Sequence, residues 1–222
     1  MMRAIKFLFK FLVYFVLITV AWVGIYAIVP PPITATMILD ENGVTKDWTS
    51  FGDISPNMVR AVIAAEDGKF CSHDGFDTEA IQKAIQRNAQ GGRIRGGSTI
   101  SQQVAKNAFL WQGGGFFRKG LEAYFTFLIE TIWSKQRIME VYLNLAETGI
   151  GTYGVQAGAQ RYFNKDAKDL TGIEAARIAA ALPQPKKRAV NGAGGFTRRY
   201  GNTIAARINV VRNEKLDSCI YK

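Results

Sequence analysis

The sequence has 222 residues, of which 48% are apolar, and its 28 Lys and Arg against 18 Asp and Glu give a formal net charge of +10. This length corresponds to one ordinary domain with an extension, and the apolar fraction excludes an intrinsically disordered chain. The positive charge indicates an anionic partner, namely nucleic acid, anionic lipid or a phosphorylated substrate, or else it serves solubility alone.

Residues 11–29 form an uncharged apolar segment that is long enough to cross a membrane as a helix. A cleaved signal peptide is the alternative, but its apolar region is normally about 7–15 residues. Basic residues precede the segment and none follows immediately, and the prolines at 30–32 predict the helix end. We therefore predict a cytoplasmic basic N-terminus over 1–10, a transmembrane anchor in the cytoplasmic (inner) membrane over 11–29, and an extracytoplasmic remainder. This topology argues against nucleic acid as a partner.

Residues 30–54 follow as a linker, in which strand-like residues over 34–49 flank a turn at Asn42-Gly43 and predict a short hairpin. After the linker, helix signals dominate, so we predict one mainly α domain over 55–222.

Each predicted helix carries its own start or stop signal. Ser55-Pro56 begins the first helix, and Asp77 begins the second, which has Ile81 and Ile85 on one face and ends at Gly91-Gly92. Capping boxes at Thr99/Gln102 and Thr171/Glu174 begin two further helices. An apolar stripe (Leu121, Phe125, Leu128, Ile132) predicts a helix over 117–133, and Ser134 caps the next. Pro183 ends the helix over 175–182, and the last helix is expected over 197–212.

The cysteines and the histidine carry little signal by themselves. Cys71 and Cys219 are the two cysteines and His73 is the one histidine. An oxidising compartment permits a disulfide, but two cysteines so far apart do not establish one. No zinc-ligand spacing and no glycine-rich phosphate loop occurs in the sequence.

Glu66 ends an apolar stripe, because Val59, Ile63 and Glu66 recur at i, i+4 and i+7 of the first helix. Partial desolvation raises the pKa of a carboxylate, which suits proton transfer near neutral pH. From the periodicity alone, a solvent-facing carboxylate at a helix end is the favoured interpretation.

Glu122 follows Arg118 by four residues, which is the spacing of an ordinary helix-surface ion pair. Arg118 and Lys119 stand near a helix start, where cations oppose the helix dipole, and a bound diphosphate would remove that objection. The polar run at 97–107 is explained in part by capping through Thr99 and Gln102. Capping does not account for Gln103, Lys106 and Asn107, whose donors suit sugar hydroxyls and phosphate oxygens.

These segments together resemble the five motifs of the peptidoglycan glycosyltransferases, in the family's order. Residues 66–75 match E-D-x-x-F-x-x-H-x-G, residues 97–107 match G-S-T-I-x-Q-Q-x-x-K-N, and residues 118–122 match R-K-x-x-E. Residues 135–144 match K-x-x-I-x-x-x-Y-L-N, and residues 174–185 look like the fifth motif. The S-x-x-K and K-T-G elements of a transpeptidase do not occur, so the chain resembles the monofunctional biosynthetic members and no cross-linking activity is expected.

The resemblance implies an α-rich, lysozyme-like glycosyltransferase domain with a small membrane-proximal lobe. It also implies that a lipid-diphosphate-linked glycan chain is transferred, with inversion, to the GlcNAc 4-hydroxyl of lipid II. Glu66 is then the general base, and Glu122 orients the cations or helps to hold a divalent ion, Mg or Mn, with no metal site fixed by protein ligands alone.

Lys106, Arg118 and Lys119 are expected to stabilise the departing diphosphate electrostatically. The other substrate-binding candidates are Phe70, His73, Ser98, Thr99, Gln102, Gln103 and Asn107, of which Phe70 and His73 are expected to shape the site. Expected partners are lipid II, the growing chain and membrane lipids, with room for other cell-wall synthesis or division proteins.

Three matters stay open at this stage. The aromatic stretch at 109–117 is either a membrane-contacting edge or a packed turn between helices. A wall-degrading lytic transglycosylase or muramidase would also use a catalytic glutamate, but it needs no cations for a diphosphate. An inactive membrane-anchored scaffold would need neither glutamate.

Overall fold

The structure is a computed structural model of the chain, and it describes residues 2–89, 97–192 and 194–221. Helices dominate it, which confirms the mainly α prediction. In chain order the helices are α1 (Met2–Tyr26), α2 (Ala35–Ile38), α3 (Pro56–Glu66), α4 (Thr78–Ala89), α5 (Ile100–Phe109), α6 (Gly115–Ile132), α7 (Lys135–Leu145), α8 (Val155–Phe163), α9 (Gly172–Ala181) and α10 (Gly195–Asn213). The strands are β1 (Thr45–Lys46), β2 (Glu147–Gly149) and β3 (Thr152–Tyr153).

The helix starts lie where the capping residues predict them. Five side chains accept a backbone N–H of the helix that follows, and they are Ser55, Asp77, Thr99, Ser134 and Thr171. Both predicted capping boxes form. A cap satisfies N–H groups that have no partner inside the helix, which is why local sequence is sufficient to place these starts. The predicted stop at Gly91-Gly92 and the side chain of Ile85 lie outside the described residues.

α1 is long and apolar enough to cross a membrane. It begins at Met2, so Arg3, Lys6 and Lys10 lie within the helix rather than in a segment before it. It ends at Tyr26, and residues 27–29 continue as a hydrogen-bonded turn before the prolines.

Aromatic side chains join the second half of α1 to the domain. Trp22 packs edge-on against Phe109 and Phe125, which stack on each other with ring centroids 4.8 Å apart. The hydroxyls of Thr19 and Tyr124 are hydrogen-bonded at 2.7 Å. α1 therefore shares a packed interface with α5 and α6. Phe109 belongs to the packed turn that the sequence left open, whereas Phe116 and Phe117 are 97% and 74% exposed.

α3, α9 and α10 form the helical layer behind the site. Val59, Val62 and Ile63 of α3 are fully buried, and so are the alanines of α9 at 175, 176 and 179–181. Small side chains allow helices to approach closely, so the alanine-rich α9 packs against both α3 and α10. This packing fixes the direction in which the C-terminal end of α3 points.

The strands form one small sheet in the order β1–β3–β2, with β1 parallel and β2 antiparallel to β3. The predicted hairpin over 34–49 is wrong, because this stretch contains α2 and the partner of β1 is β3, more than 100 residues away. The turn at Asn42-Gly43 does form, and it packs against Gly151. A Cβ at Gly151 would lie within 3.0 Å of two carbonyl oxygens of that turn, so the close approach requires glycine.

Cys71 and Cys219 form a disulfide, which joins the segment after α3 to the segment after α10. Their separation in sequence is 148 residues. A crosslink that closes so long a loop mainly lowers the entropy of the unfolded chain.

Reduction of this disulfide should therefore destabilise the domain. We expect a loss of about 2–5 kcal/mol, and each kcal/mol lowers Tm by about 2–4 °C for a chain of this size. Thermal unfolding with and without dithiothreitol measures the effect, and a Cys71→Ser/Cys219→Ser variant, which has no disulfide to reduce, is the control. Equal Tm values for the oxidised and reduced wild type would contradict the expectation.

Candidate active site

The C-terminal end of α3 meets the N-terminal end of α5 at the side chain of Asp67. Its carboxylate accepts the backbone N–H of Ile100 at 3.1 Å and faces Nε2 of His73 at 3.0 Å. A carboxylate at a helix N-terminus is stabilised both by free N–H groups and by the helix dipole. Asp67 therefore fixes Glu66, the last residue of α3, beside the first turns of α5.

Glu66 projects toward α5, where Gln103 Nε2 donates to its Oε2 at 2.9 Å. Its other oxygen, Oε1, is buried and accepts no hydrogen bond from the described part of the chain. Burial raises the pKa of Glu66, and the amide of Gln103 and the charges of Arg188 and Lys106 oppose this effect. The carboxylate is thus not the solvent-facing group that periodicity alone favours. It is a half-buried carboxylate with one oxygen that has no hydrogen-bond partner among the described residues.

His73 supports this arrangement through Asp67. Its Nδ1 accepts the backbone N–H of Gly75 at 3.1 Å, so the ring proton resides on Nε2 and is donated to Asp67. Gly75 has φ +87°, and a Cβ there would lie 2.7 Å from the Thr126 methyl group. Only glycine fits this turn, which also presents its carbonyl to the hydroxyl of Thr99 at 2.7 Å.

Phe70, the other residue expected to shape the site, is fully buried. The ammonium of Lys135 stands 4.6 Å from its ring centroid and donates to the His73 carbonyl at 2.6 Å. A cation over an aromatic face is attracted by the ring quadrupole. Phe70 and Lys135 therefore hold the loop that follows Glu66.

A second cluster lies at the start of α6, around the buried carboxylate of Glu122. Arg118 binds one of its oxygens and Lys119 binds the other, and Lys119 also lies 3.3 Å from the hydroxyl of Ser98. The predicted surface ion pair is thus one half of a three-residue cluster around a buried carboxylate. Two cations on one carboxylate leave a net positive site.

Lys106 stands in the electrostatic field of both glutamates. Burial lowers the pKa of its ammonium, as do the charges of Arg118 and Lys119, while Glu122 and Glu66 raise it. Within the described residues its ammonium has no hydrogen-bond partner, so its donors are available to a ligand.

A cavity of about 430 Å³ opens beside Lys106, between α2, α5, α7, the sheet and residues 182–186. This volume lies within the range of about 300–1,000 Å³ that is usual for ligand pockets. Its polar lining includes Gln103, Lys106, Asn107, Tyr142, Glu147 and Lys186. Burial and the charges of Glu66 and Asp67 raise the pKa of Tyr142, so its hydroxyl stays protonated.

The far wall of the cavity consists of residues that the sequence analysis missed. Asp40 accepts hydrogen bonds from Tyr153 at 2.6 Å and from Lys186 at 3.0 Å. Glu147 Oε1 is buried without a hydrogen-bond partner among the described residues, 3.7 Å from Lys186, and burial raises its pKa. Glu147 lies three residues after the fourth motif and Lys186 directly after the fifth, and this proximity is the one signal that could have identified them.

The predicted site residues other than Glu66 and Glu122 separate into four groups. Gln103, Lys106 and Asn107 line the cavity, and Ser98, Arg118 and Lys119 gather at Glu122. Thr99 and Gln102 are buried and use their polar groups in the capping box, outside the cavity lining. Phe70 and His73 support the loop that follows Glu66.

Residues 33–212 match the family model described as transglycosylase, and the chain belongs to that family. Its relatives make the likeness more specific. It is 49% identical to the biosynthetic peptidoglycan transglycosylase of Caulobacter vibrioides over 199 residues, which are 88% of this chain and 87% of the relative. It is 47% identical to the protein of the same name from Pseudomonas aeruginosa over 201 residues, 86% and 87% of the two chains. The predicted family is confirmed.

The raised pKa of Glu66 predicts how stability depends on pH. The folded state holds the proton at pH values where the unfolded chain, with a Glu pKa near 4.5, has lost it. Stability from this group is therefore full below about pH 4.5 and is lost as pH rises through the folded pKa. Glu66→Gln should raise Tm at pH 7–8 relative to wild type, with the difference shrinking at pH 4. Glu41→Gln on the surface is the control, and a lower Tm of Glu66→Gln at pH 8 would contradict the burial argument.

Proposed function

We propose that the protein polymerises peptidoglycan, transferring a lipid-diphosphate-linked glycan chain to the GlcNAc 4-hydroxyl of lipid II. The observation that carries this proposal is the half-buried Glu66, which has one free oxygen and is held by Gln103 of the cavity wall, together with the cations around Glu122. The printed names of the relatives support the same reaction class.

The base step follows from the position of Glu66. Gln103 holds Oε2, so Oε1 is the oxygen that takes the proton of the acceptor hydroxyl. As this proton moves to Glu66, the hydroxyl oxygen bonds to C1 of the donor sugar and the bond from C1 to the diphosphate breaks. A carboxylate with a raised pKa suits this transfer, because its basicity lies nearer the working pH.

The cations near Glu66 serve the leaving group. A diphosphate departs as an anion, so fixed positive charge lowers the energy of the transition state more than a strong acid would. Lys106 has free donors, and Arg118 and Lys119 are aligned by the two oxygens of Glu122. In this assignment Glu122 is a positioning residue for the cations.

A divalent ion would have to be held mainly by the diphosphate itself. Both oxygens of Glu122 already face cations, and the described residues include no group of three or more His, Cys, Asp or Glu side chains placed for a metal. These residues do not fit a protein-held Mg or Mn ion, and we derive no step through one.

The membrane placement is part of the proposal. α1 is long and apolar enough to span a bilayer, and its basic start favours a cytoplasmic N-terminus. A disulfide in the domain fits an extracytoplasmic, oxidising compartment. The exposed Phe116 and Phe117, on the helix that packs on α1, then contact lipid near the site where a lipid-linked substrate arrives.

Two rival functions are less well supported. A wall-degrading transglycosylase or muramidase acts on polymer and has no use for the Arg118–Glu122–Lys119 cluster. An inactive scaffold would not retain a buried carboxylate without a second partner, because such a group destabilises the fold.

Purified protein in detergent or vesicles should convert lipid II to polymer. Glu66→Gln should lower kcat by at least about 100-fold, because general bases contribute about 10²–10⁴ in rate. The readout is labelled glycan product, with Glu41→Gln as the matched control. Wild-type-level polymerisation by Glu66→Gln would exclude Glu66 as the base, and no polymer from the wild type together with cleavage of preformed glycan would favour the lytic rival.

Lys106→Ala should weaken binding of the diphosphate-linked substrate by about 10-fold or more, because a hydrogen bond to a charged group is worth about 1.5–3 kcal/mol. Its Tm should not fall, since the ammonium has no hydrogen-bond partner in the described protein. Lipid II binding and thermal unfolding are measured together, with Lys168→Ala on the surface as control. Unchanged affinity with a lower Tm would assign Lys106 a purely structural role.

A further inference from the structure

The chain beyond α10 returns along α3 and contacts it. Residues 216–221, called here the tail, lie past residue 212, where the match to the family model ends. Asp217 is buried and pairs with Arg60 Nε at 2.7 Å. The Tyr221 ring lies 5.4 Å from the Arg60 guanidinium and 5.8 Å from the Phe51 ring. The tail thus contacts α3 at Arg60, six residues before Glu66.

α10 contacts the same helix one residue before Glu66. The Tyr200 hydroxyl donates to the backbone carbonyl of Ala65 at 2.8 Å. Carbonyls in the last turn of a helix have no partner within it, so this hydrogen bond caps the turn that carries Glu66.

The disulfide supplies the third contact, five residues after Glu66. Cys71 is joined to Cys219 of the tail, and the backbone N–H of Cys219 also lies 3.3 Å from the Cys71 sulfur. The C-terminal region therefore touches this segment at residues 60, 65 and 71, on both sides of Glu66. On the opposite side, α5 holds the segment through Gln103 and Ile100.

We propose that the C-terminal region is a positioning element for Glu66, with the tail fastened by the Cys71–Cys219 disulfide and Tyr200 holding the last turn of α3. This proposal rests on the function proposed above, because its kinetic test measures lipid II polymerisation. The fastening is reversible chemistry, because a dithiol gives two electrons and two protons to the disulfide, which becomes two thiols as the dithiol closes to its own disulfide. Reduction removes the covalent link of the tail to residue 71, leaves the Asp217–Arg60 ion pair, and alters no residue of the cavity.

The test compares oxidised and dithiothreitol-reduced wild type with Cys219→Ser, well below the Tm of each. Reduction and Cys219→Ser should lower kcat for lipid II polymerisation by about 10-fold, since small misplacements of a reacting group cost up to about 10². KM should change by less than about twofold, because the substrate-binding cations are untouched. The acid limb of the kcat–pH profile should move to lower pH, since a looser turn hydrates Glu66.

Tyr200→Phe keeps the disulfide and removes only the hydroxyl, and it should shift kcat and the acid limb in the same direction. Ser218→Ala, an exposed tail residue, is the matched control and should match wild type. A lower Tm with unchanged kcat and unchanged acid limb, in both the reduced protein and Tyr200→Phe, would overturn the proposal in favour of a purely stabilising crosslink.

Amide hydrogen exchange separates this proposal from the proposed reaction. On reduction, exchange should accelerate at residues 62–70 more than in α7, whether or not the protein polymerises lipid II. Uniform acceleration, or none, would overturn the positioning role even in an active enzyme. If the wild type does not polymerise lipid II but exchange at 62–70 still accelerates on reduction, the proposed reaction is refuted, whereas the proposal that the C-terminal region positions Glu66 stands.

Discussion

The carboxylate of Asp67 joins two helix ends, because it accepts the first backbone N–H of α5 while it follows the last residue of α3. This contact satisfies a donor that has no partner within α5 and places negative charge at the positive end of its dipole. Glu66 and Gln103 face each other as a consequence, and His73 and the Gly75 turn keep the Asp67 carboxylate in position. The remaining site is built around this junction.

Charge compensation differs between the two glutamates, and the difference matches their assigned roles. Glu122 is neutralised at both oxygens, as a buried carboxylate must be to remain ionised without a large cost. Glu66 has one amide donor and a free buried oxygen, and Lys106 is a half-buried residue whose ammonium has no hydrogen-bond partner in the described protein. Groups left uncompensated in the free protein are those that a substrate can compensate. Uncompensated polar groups destabilise the folded state, and the packing of α3, α9 and α10 offsets this cost.

The helix starts and the Arg118–Glu122 pair could be predicted from the sequence, because helix caps and i, i+4 contacts join residues that are only a few positions apart. The partner of β1, the Cys71–Cys219 disulfide and the Asp40–Lys186 wall join residues more than 100 positions apart, and no periodicity reports such contacts. The family motifs identified the segments that form the site, but they did not distinguish the roles of individual residues within a motif. Thr99 and Gln102 are capping residues, whereas Gln103, one position later, faces Glu66.

The end of α1 is held against the domain by Trp133, which directly follows α6, and by Arg137 of α7. The indole of Trp133 donates to the carbonyl of Val23, and Arg137 donates to the carbonyls of Tyr26 and Val29. The carbonyls of Tyr26 and Val29 lie at and beyond the helix end, and Arg137 supplies them with the hydrogen bonds that a flexible linker would make with water. The end of α1 is therefore held against the domain that carries Glu66, and no flexible linker separates the two. Under the proposed function, with α1 spanning a bilayer, Glu66 stays at a constant height above the membrane, and each added disaccharide pushes the polymer past a stationary site.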